Sequence, residues 1–440
     1  MRTRAGGVAG LAVAVVAGGA LIAYPRDDGP GVALGRVGFA TAWPAAQRAT
    51  ISGNVPDGPI FHPETFLDAR TAVGTAPSPD GTAVRLLLRT TTTAPQTAGA
   101  GTAAGQGTTA SDTPSTPDKA KPSANGTPGK GTRSGPDAGS NPDAGSNPDA
   151  GSGPDAGGDA AAGGDTEAGG DTEAGGDRVR ELRRRGLGTN PEFGAVTVAG
   201  DDLVWTEFAD GEKVSLWAAK TDGSQVRRVT RDTGDAIFSG SQWDLVVADG
   251  KVWWVAADST DKTEVRSVAL TGGKVSVRAE PGEWALTSWP WLTDGTGDQT
   301  GTHTLRSLSD NREIRVDTTG TELTTCSPAW CRVMVLTTDS LARIDAMRPD
   351  GTTRRRIAGG AARAAINDVA VLDRFELLSE PGPDSDLTGT EGLVVYDLTS
   401  DRTIEISTAV EGAFSRNGML WWATGDQDSL LWHTLDLRTV

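Results

Sequence analysis

The sequence predicts an all-β fold, a β-propeller of four-stranded antiparallel blades closed into a ring by its N- and C-terminal strands. Three observations predict it. Short runs rich in Val, Leu and Trp alternate with Asp-Gly and Gly-Gly turn signals, most clearly over Asp244–Arg278. No segment there has the length or the 3.6-residue period of a helix. The unit also recurs at a spacing of roughly 40–45 residues, the period of four-stranded propeller blades.

The repeat is plainest in its last hairpin. Copies run over Leu216–Val229, Val265–Val277, Leu305–Val316, Ala342–Ile357 and Leu393–Ile406. A middle strand recurs as Asp201–Trp205, Asp249–Trp254 and Asn417–Trp422. A single such sheet cannot bury both its faces, whereas sheets packed face to face in a ring cover one another. A β-sandwich also has short strands and many turns, but it does not require its segments to resemble each other. About 320 residues remain from Arg36 onward once the insertion described below is removed, which gives seven blades at this period.

From the N-terminus, Met1–Arg4 is basic and Val8–Ala23 is uncharged and apolar. This reads as an export signal or a retained membrane anchor, filling residues 1–35, with the propeller following over 36–440. No Cys follows the apolar run, so a lipoprotein is not expected. Phe39–Trp43 reads as a strand that completes the last blade and closes the ring. Thr65–Thr90 reads as two or three more strands, with Ser78-Pro79-Asp80-Gly81 at a turn.

The pattern then stops. Residues 91–176 are mostly Gly, Ala, Thr, Pro, Ser and Asp, ending in a hexapeptide array (GPDAGS, NPDAGS, DTEAGG) from Gly135. This composition buries too little apolar surface to offset its ordering entropy, so the segment is expected to be disordered. Residues 91–177 hold twelve acidic and four basic groups, a net of 4 − 12 = −8 out of −17 for the chain. Calcium-binding rolls repeat every nine residues with an apolar residue in each repeat, and this array does neither. Ala83–Arg89 before it and Arg178–Arg183 after it both read as strands. If they pair, the array is a loop inserted in the first blade, and closure costs only the logarithm of its length. The basic run Arg178, Arg180, Arg183, Arg184 and Arg185 reads as a charged edge strand.

An acidic chain without a basic stripe gives no reason to expect nucleic acid as a partner. Cys326 and Cys331 flank Ser327-Pro328-Ala329-Trp330, a tight turn across which two Cβ atoms can reach disulfide range. In an exported chain they are expected to pair. Two thiolates without a nearby His are too few for a closed zinc site.

Chemistry is sparse. His62, His303 and His433 are far apart in the chain and read as polar surface or loop residues. No G-x-S-x-G elbow and no phosphate loop is present. No catalytic residue and no cofactor is indicated. Asp384 and Asp386 stand as in the start of a calcium loop, but Val395 occupies the place of its bidentate acid, so they are weak metal candidates. Trp284, Trp289 and Trp291 cluster around Pro290 and are weak candidates for a glycan- or peptide-binding rim. Adjacent pairs, Trp253-Trp254 and Trp421-Trp422, should face opposite sides of their strands and pack between blades.

Several stretches carry a resemblance: DARTAVGTAPSPDGT, TTCSPAWCRVMVL, RPDGTTRRRIAGG, PGPDSDLTG with LVVYDL, and LLWHTLDLR. Together they resemble a family of uncharacterised exported TolB-like β-propellers of high-GC actinobacteria. The resemblance implies fold and export and brings no activity. The expected role is a monomeric, non-catalytic, extracytoplasmic propeller that binds a cell-envelope protein or polysaccharide, secreted or held at the membrane by its N-terminal segment. The alternatives are a propeller-type glycan hydrolase or lyase, and a structural envelope protein with an acidic spacer. Carboxylates converging at one channel mouth, with their pKa values pushed apart, would favour the enzyme. A rim of exposed Trp without them would favour binding.

Overall fold

Seven antiparallel sheets succeed one another along the chain in the computed structural model, each with four principal strands. The structure describes residues 36–92, 172–174, 176–259, 262–295, 301–319, 322–337, 341–426 and 429–440. The expected signal or anchor, and nearly all of the 91–176 insertion with its array, lie outside the described residues. Among the described residues no helix is long and apolar enough to cross a membrane.

Blade 1 is built from His62–Phe66, Thr71–Pro77, Ala83–Thr91 and Asp177–Gly186. Blade 2 uses Glu192–Ala199, Asp202–Phe208, Ser215–Lys220 and Arg227–Thr230. Blade 3 has its first strand split into Asp235–Ala236 and Val246–Ala248, followed by Lys251–Ser259, Lys262–Ala269 and Ser276–Pro281. Blades 4, 5 and 6 begin at Ala285, Glu322 and Arg363. Blade 7 takes Ala413–Arg416, Met419–Thr424 and Leu431–Asp436, and its fourth strand is Arg48–Ser52 from the other end of the chain. The first strands of blades 7, 1, 2 and 3 touch in succession, which places first strands around the axis.

The five predicted hairpin copies are the third and fourth strands of blades 2 to 6. The repeated middle strand is the second strand of blades 2, 3 and 7. Ala248 pairs with Lys251 and Arg416 with Met419, so Asp249-Gly250 and Asn417-Gly418 are two-residue hairpin turns. Both residues of each turn have positive φ (52° and 71°, 53° and 78°), the conformation for which Asp-Gly and Asn-Gly are favoured.

The ring closes as expected in kind but not in place. Phe39–Ala42 forms a single helical turn, and the closing strand is Arg48–Ser52, whose Ile51 is buried. Phe39 and Trp43 instead pack against Trp422 and Phe375 in the cluster between blades 6 and 7. Val37–Gly38 adds in parallel to the outer edge of blade 6. The aromatic content of this stretch is used for packing between blades, and the more polar Arg48–Ser52 suits an outer strand.

The core is divided into seven clusters, one at each blade–blade seam. The tryptophan pairs explain how. Trp421 packs toward blade 1, its ring 5.4 Å from Phe66, while Trp422 packs toward blade 6. Trp254 belongs to the blade 2–blade 3 cluster and Trp253 to the blade 3–blade 4 cluster. The two-residue period of a strand thus supplies one large ring to each seam.

Ala83–Thr91 pairs with Asp177–Gly186 from Ala83↔Gly186 to Thr91↔Asp177, so the insertion departs from a hairpin end in blade 1. Arg89 is buried there. It is ion-paired with Asp177 and donates to the Ser52 carbonyl at 2.8 Å, tying the base of the insertion to the closing strand. The basic run does more than protect an edge. Arg183 lies buried against Glu207 of blade 2 at 2.8 Å and over the Trp217 ring, and Arg185 pairs with Glu212. A short strand, Thr172–Ala174, pairs outside it.

Candidate functional site: the bridged axis and an adjoining cleft

The split first strand of blade 3 sends residues 237–245 inward. Ser241 Oγ donates to Asp368 Oδ1 at 2.6 Å, and the Gln242 N–H donates to Asp368 Oδ2 at 3.2 Å. The Asn417 N–H donates to Gln242 Oε1 at 3.1 Å. Asp368 precedes the second strand of blade 6 and Asn417 is in blade 7. In a seven-membered ring these blades lie across from blade 3, so the three bonds span the axis. The loop is itself pinned by Asp244, whose Oδ2 accepts the Ser239 and Gly240 N–H groups at 2.7 Å each. Ser239 Oγ donates to Asp244 Oδ1 at 3.0 Å. Arg332 of blade 5 fixes the opposite anchor. It donates to the Asp368 carbonyl at 2.6 Å and to Glu376 at 2.8 Å, and both side chains of this pair are buried.

Arg416, on the first strand of blade 7, stands at the centre. It donates to the Val196 carbonyl of blade 2 and senses the charges of Glu64, Asp244 and Asp368. One guanidinium therefore interacts with three carboxyl groups, from blades 1, 3 and 6. Glu64, Arg416 and Asp368 keep partial solvent exposure inside the ring, while Asp244 is 8% exposed. Desolvation dominates every group. It pushes Asp244 up to about 6, against the hydrogen bonds from Ser239 and Gly240 and the charge of Arg416. It raises Asp368 against the Ser241 and Gln242 bonds, raises Glu64 against Arg416, and lowers Arg416. The three carboxyls are all displaced in the same direction. Asp244 and Asp368 are held by the bridging loop, whereas Glu64 has no hydrogen-bond or ion-pair partner among the described residues.

Beside this bridge a cleft of about 510 Å3 opens where turns of blades 7, 1 and 2 meet on one ring face. Leu67, Asp68, Thr90, Val198, Thr221 and Asn417 are among its walls. Asn417 connects the two features. Its backbone N–H anchors the bridge, and the residue lines the cleft.

The residues singled out from the sequence lie elsewhere. Trp284 and Trp291 are buried, the first donating its indole N–H to the Pro281 carbonyl at 2.6 Å with Arg306 over its ring, the second beneath Arg312. Half-buried Trp289 lies 4.7 Å from Trp253. Asp384 and Asp386 are exposed at a one-turn helix, Ser385–Thr388. Among the described residues no group of three or more His, Cys, Asp or Glu is placed to hold a metal ion. Cys326 and Cys331 form a disulfide and lie directly opposite one another at the first turn of blade 5. His433 is not in a loop but in a strand of blade 7, stacked on Trp422 and hydrogen-bonded to Thr50 and Thr424, with burial lowering its pKa. Glu64, Asp368 and Arg416 were not marked by any motif, because three distant inner strands and loops supply them. The one local signal was Arg416 immediately before the Asn417-Gly418 turn.

No protein-family model and no curated protein matches the chain. Among solved structures it is similar to the β-propeller domain of the trilobed protease from Pyrococcus furiosus at 9% identity, over 55% of this chain and 82% of that one, with a TM-score of 0.38. It is similar to a prolyl endopeptidase at 12% identity and a TM-score of 0.37, covering 57% of this chain and only 42% of that one. A putative TolB from Agrobacterium tumefaciens is similar at 15% identity, over 53% of this chain and 85% of that one, with a TM-score of 0.33. All three TM-scores are low, and the seven-bladed fold rests on the chain's own sheet pairing.

Proposed function

We propose that this chain is an extracytoplasmic, non-catalytic propeller that binds a cell-envelope protein or glycan on one face of its ring. The observation that carries the reading is the bridge from Ser241 and Gln242 to Asp368 and Asn417. With the bonds that pin Asp244 within the same loop, it commits two of the three axial carboxyls to holding that loop, and it ties blades across the ring beside a polar cleft. A rigid scaffold that presents turns around a cleft is suited to recognition. The basic start and apolar run of the N-terminus support export, and a Cys326–Cys331 disulfide fits an oxidising compartment. The test is twofold. The purified full chain should capture one envelope protein or polysaccharide, reproducibly with purified components, and a membrane-impermeant label should reach it on intact cells.

One observation favours a second reading, a glycan hydrolase or lyase. Asp244 is pushed up to about 6, near the range of a general acid, and Glu64 stands unpartnered in the same cluster. Glycan turnover by the purified chain, lost in Glu64→Gln and Asp244→Asn, would establish that reading and displace the first.

A further inference from the structure

We infer that the ring face on which the inner strands begin is a docking surface for a basic protein segment that also carries apolar side chains. The inference rests on the binding reading above and narrows it to one face and to a protein partner. Each blade runs from its inner strand outward, so the inner strands all start on the same face. The turns between second and third strands lie on that face too. The cleft is walled by turns at the other ends of the strands, on the opposite face.

Apolar exposure is concentrated there. Among the described residues eight large hydrophobic side chains are exposed, and six of them belong to this face. Ile237 and Phe414 lie near the start of the inner strands of blades 3 and 7, and Leu187 follows the outer strand of blade 1. Leu336 ends the second strand of blade 5, Leu387 stands in the turn after the second strand of blade 6, and Leu431 opens the third strand of blade 7. Scattered apolar residues are normal on a surface, but this bias toward one face is not scatter. Phe414 is held in place, its ring stacked on Trp421 at 5.8 Å and 6.3 Å from Trp432, yet it is 48% exposed. A fixed, half-exposed ring on an inner strand is suited to receive an apolar or a cationic side chain.

Carboxyl groups surround the same mouth of the ring. Glu192, Asp235, Glu283 and Glu411 lie within two residues of the start of the inner strands of blades 2, 3, 4 and 7. All four are exposed, and none has an ion-pair or hydrogen-bond partner among the described residues. The one Lys or Arg described at an equivalent position is Arg363 of blade 6, already paired with Glu391 at 3.2 Å. Glu64 is the third residue of the inner strand of blade 1, just inside the mouth. It is enclosed enough for burial to raise its pKa, keeps partial exposure and is likewise unpartnered. A mouth lined by one sign of charge attracts the opposite sign and speeds its arrival. It repels an acidic glycan and an anionic bilayer alike. Among the described residues no group of three or more His, Cys, Asp or Glu is placed to hold a metal ion, so the matching cation is an organic one. A segment with Lys or Arg around a Leu or Phe complements both the charge and the apolar side chains.

The test measures binding of short synthetic peptides to the full chain by fluorescence anisotropy. One peptide is built of Lys, Arg, Leu and Phe, a second has Ser in place of Leu and Phe, and a third has Glu in place of Lys and Arg. The first should bind about tenfold more tightly than either of the others, and its affinity should fall as salt rises from about 50 to about 300 mM. Combining Glu192→Gln, Glu283→Gln and Glu411→Gln should weaken it about tenfold and flatten the salt dependence. Phe414→Ser should weaken it about tenfold and leave the salt dependence in place. The glutamine substitutions are at exposed positions, so they keep the test decisive if Phe414→Ser disturbs folding. Val277→Ser, which removes an exposed apolar side chain from the outer strand of blade 3, should change nothing. Equal binding of the peptides, or preference for the acidic one, overturns the inference. Tight binding that the glutamine variant leaves untouched places the segment elsewhere and overturns it as well. Capture of an envelope partner by the unaltered chain is scored separately, so failure of this inference and failure of the binding reading are distinguishable.

Discussion

Replacing Asp244 with asparagine should flatten part of the protein's stability–pH profile. Asp244 is 8% exposed and its pKa is raised from 3.8 to about 6, so the folded chain holds this proton more tightly than the unfolded chain does. The sign follows directly. Above pH 6 the group is ionised in both states, and folding bears the whole penalty of burying the charge. As pH falls through 6 toward 3.8 the folded state takes up a proton first, and stability rises. A shift of 6 − 3.8 = 2.2 units corresponds to roughly 3 kcal/mol, of which about 2–3 kcal/mol is regained between pH 7.5 and pH 4. Asparagine has nearly the same shape. Its carbonyl can accept the Ser239 and Gly240 N–H groups, and its NH2 can donate to a reoriented Ser239 hydroxyl. The assay is urea unfolding of both proteins at pH 7.5 and pH 4. Glu64 and Asp368, also raised, titrate in both, so the difference between the two profiles isolates Asp244. The variant should gain on the wild type at pH 7.5 and lose that advantage at pH 4. Parallel profiles would refute the reasoning, because they would mean that this carboxyl is not desolvated in the folded ring.

Three further outcomes are expected. Arg332→Met leaves the buried Glu376 side chain without its ion-pair partner and strips the Asp368 carbonyl of its donor, so chemical unfolding should show a loss of about 3–5 kcal/mol, of which Glu376→Leu restores only part. Ile51→Ala, on the strand that closes the ring, should cost about 3 kcal/mol in the same assay. The Cys326–Cys331 bridge closes a short loop, so its loss should cost only about 2 kcal/mol, and reductant should lower the melting temperature of the wild type but not of a Cys326→Ala, Cys331→Ala double variant.

Strands, turns and the repeat are legible in the amino-acid order alone. Asp249-Gly250 and Asn417-Gly418 specify two-residue turns through local backbone preference, and Trp253-Trp254 and Trp421-Trp422 show by strand alternation that both faces of each sheet are covered. These are short-range properties, and a period of similar hairpins is enough to imply a ring. The order alone misplaced the closing strand because Phe39 and Trp43 look like strand residues when their burial against Phe375 and Trp422 is unseen. The centre of the ring is a different matter. Glu64, Asp244, Asp368 and Arg416 stand far apart along the chain, and ring closure alone brings them together. Whether such a carboxyl is an exposed turn residue or a desolvated group with a pKa near 6 depends on what surrounds it, and here the surroundings come from the far side of the ring.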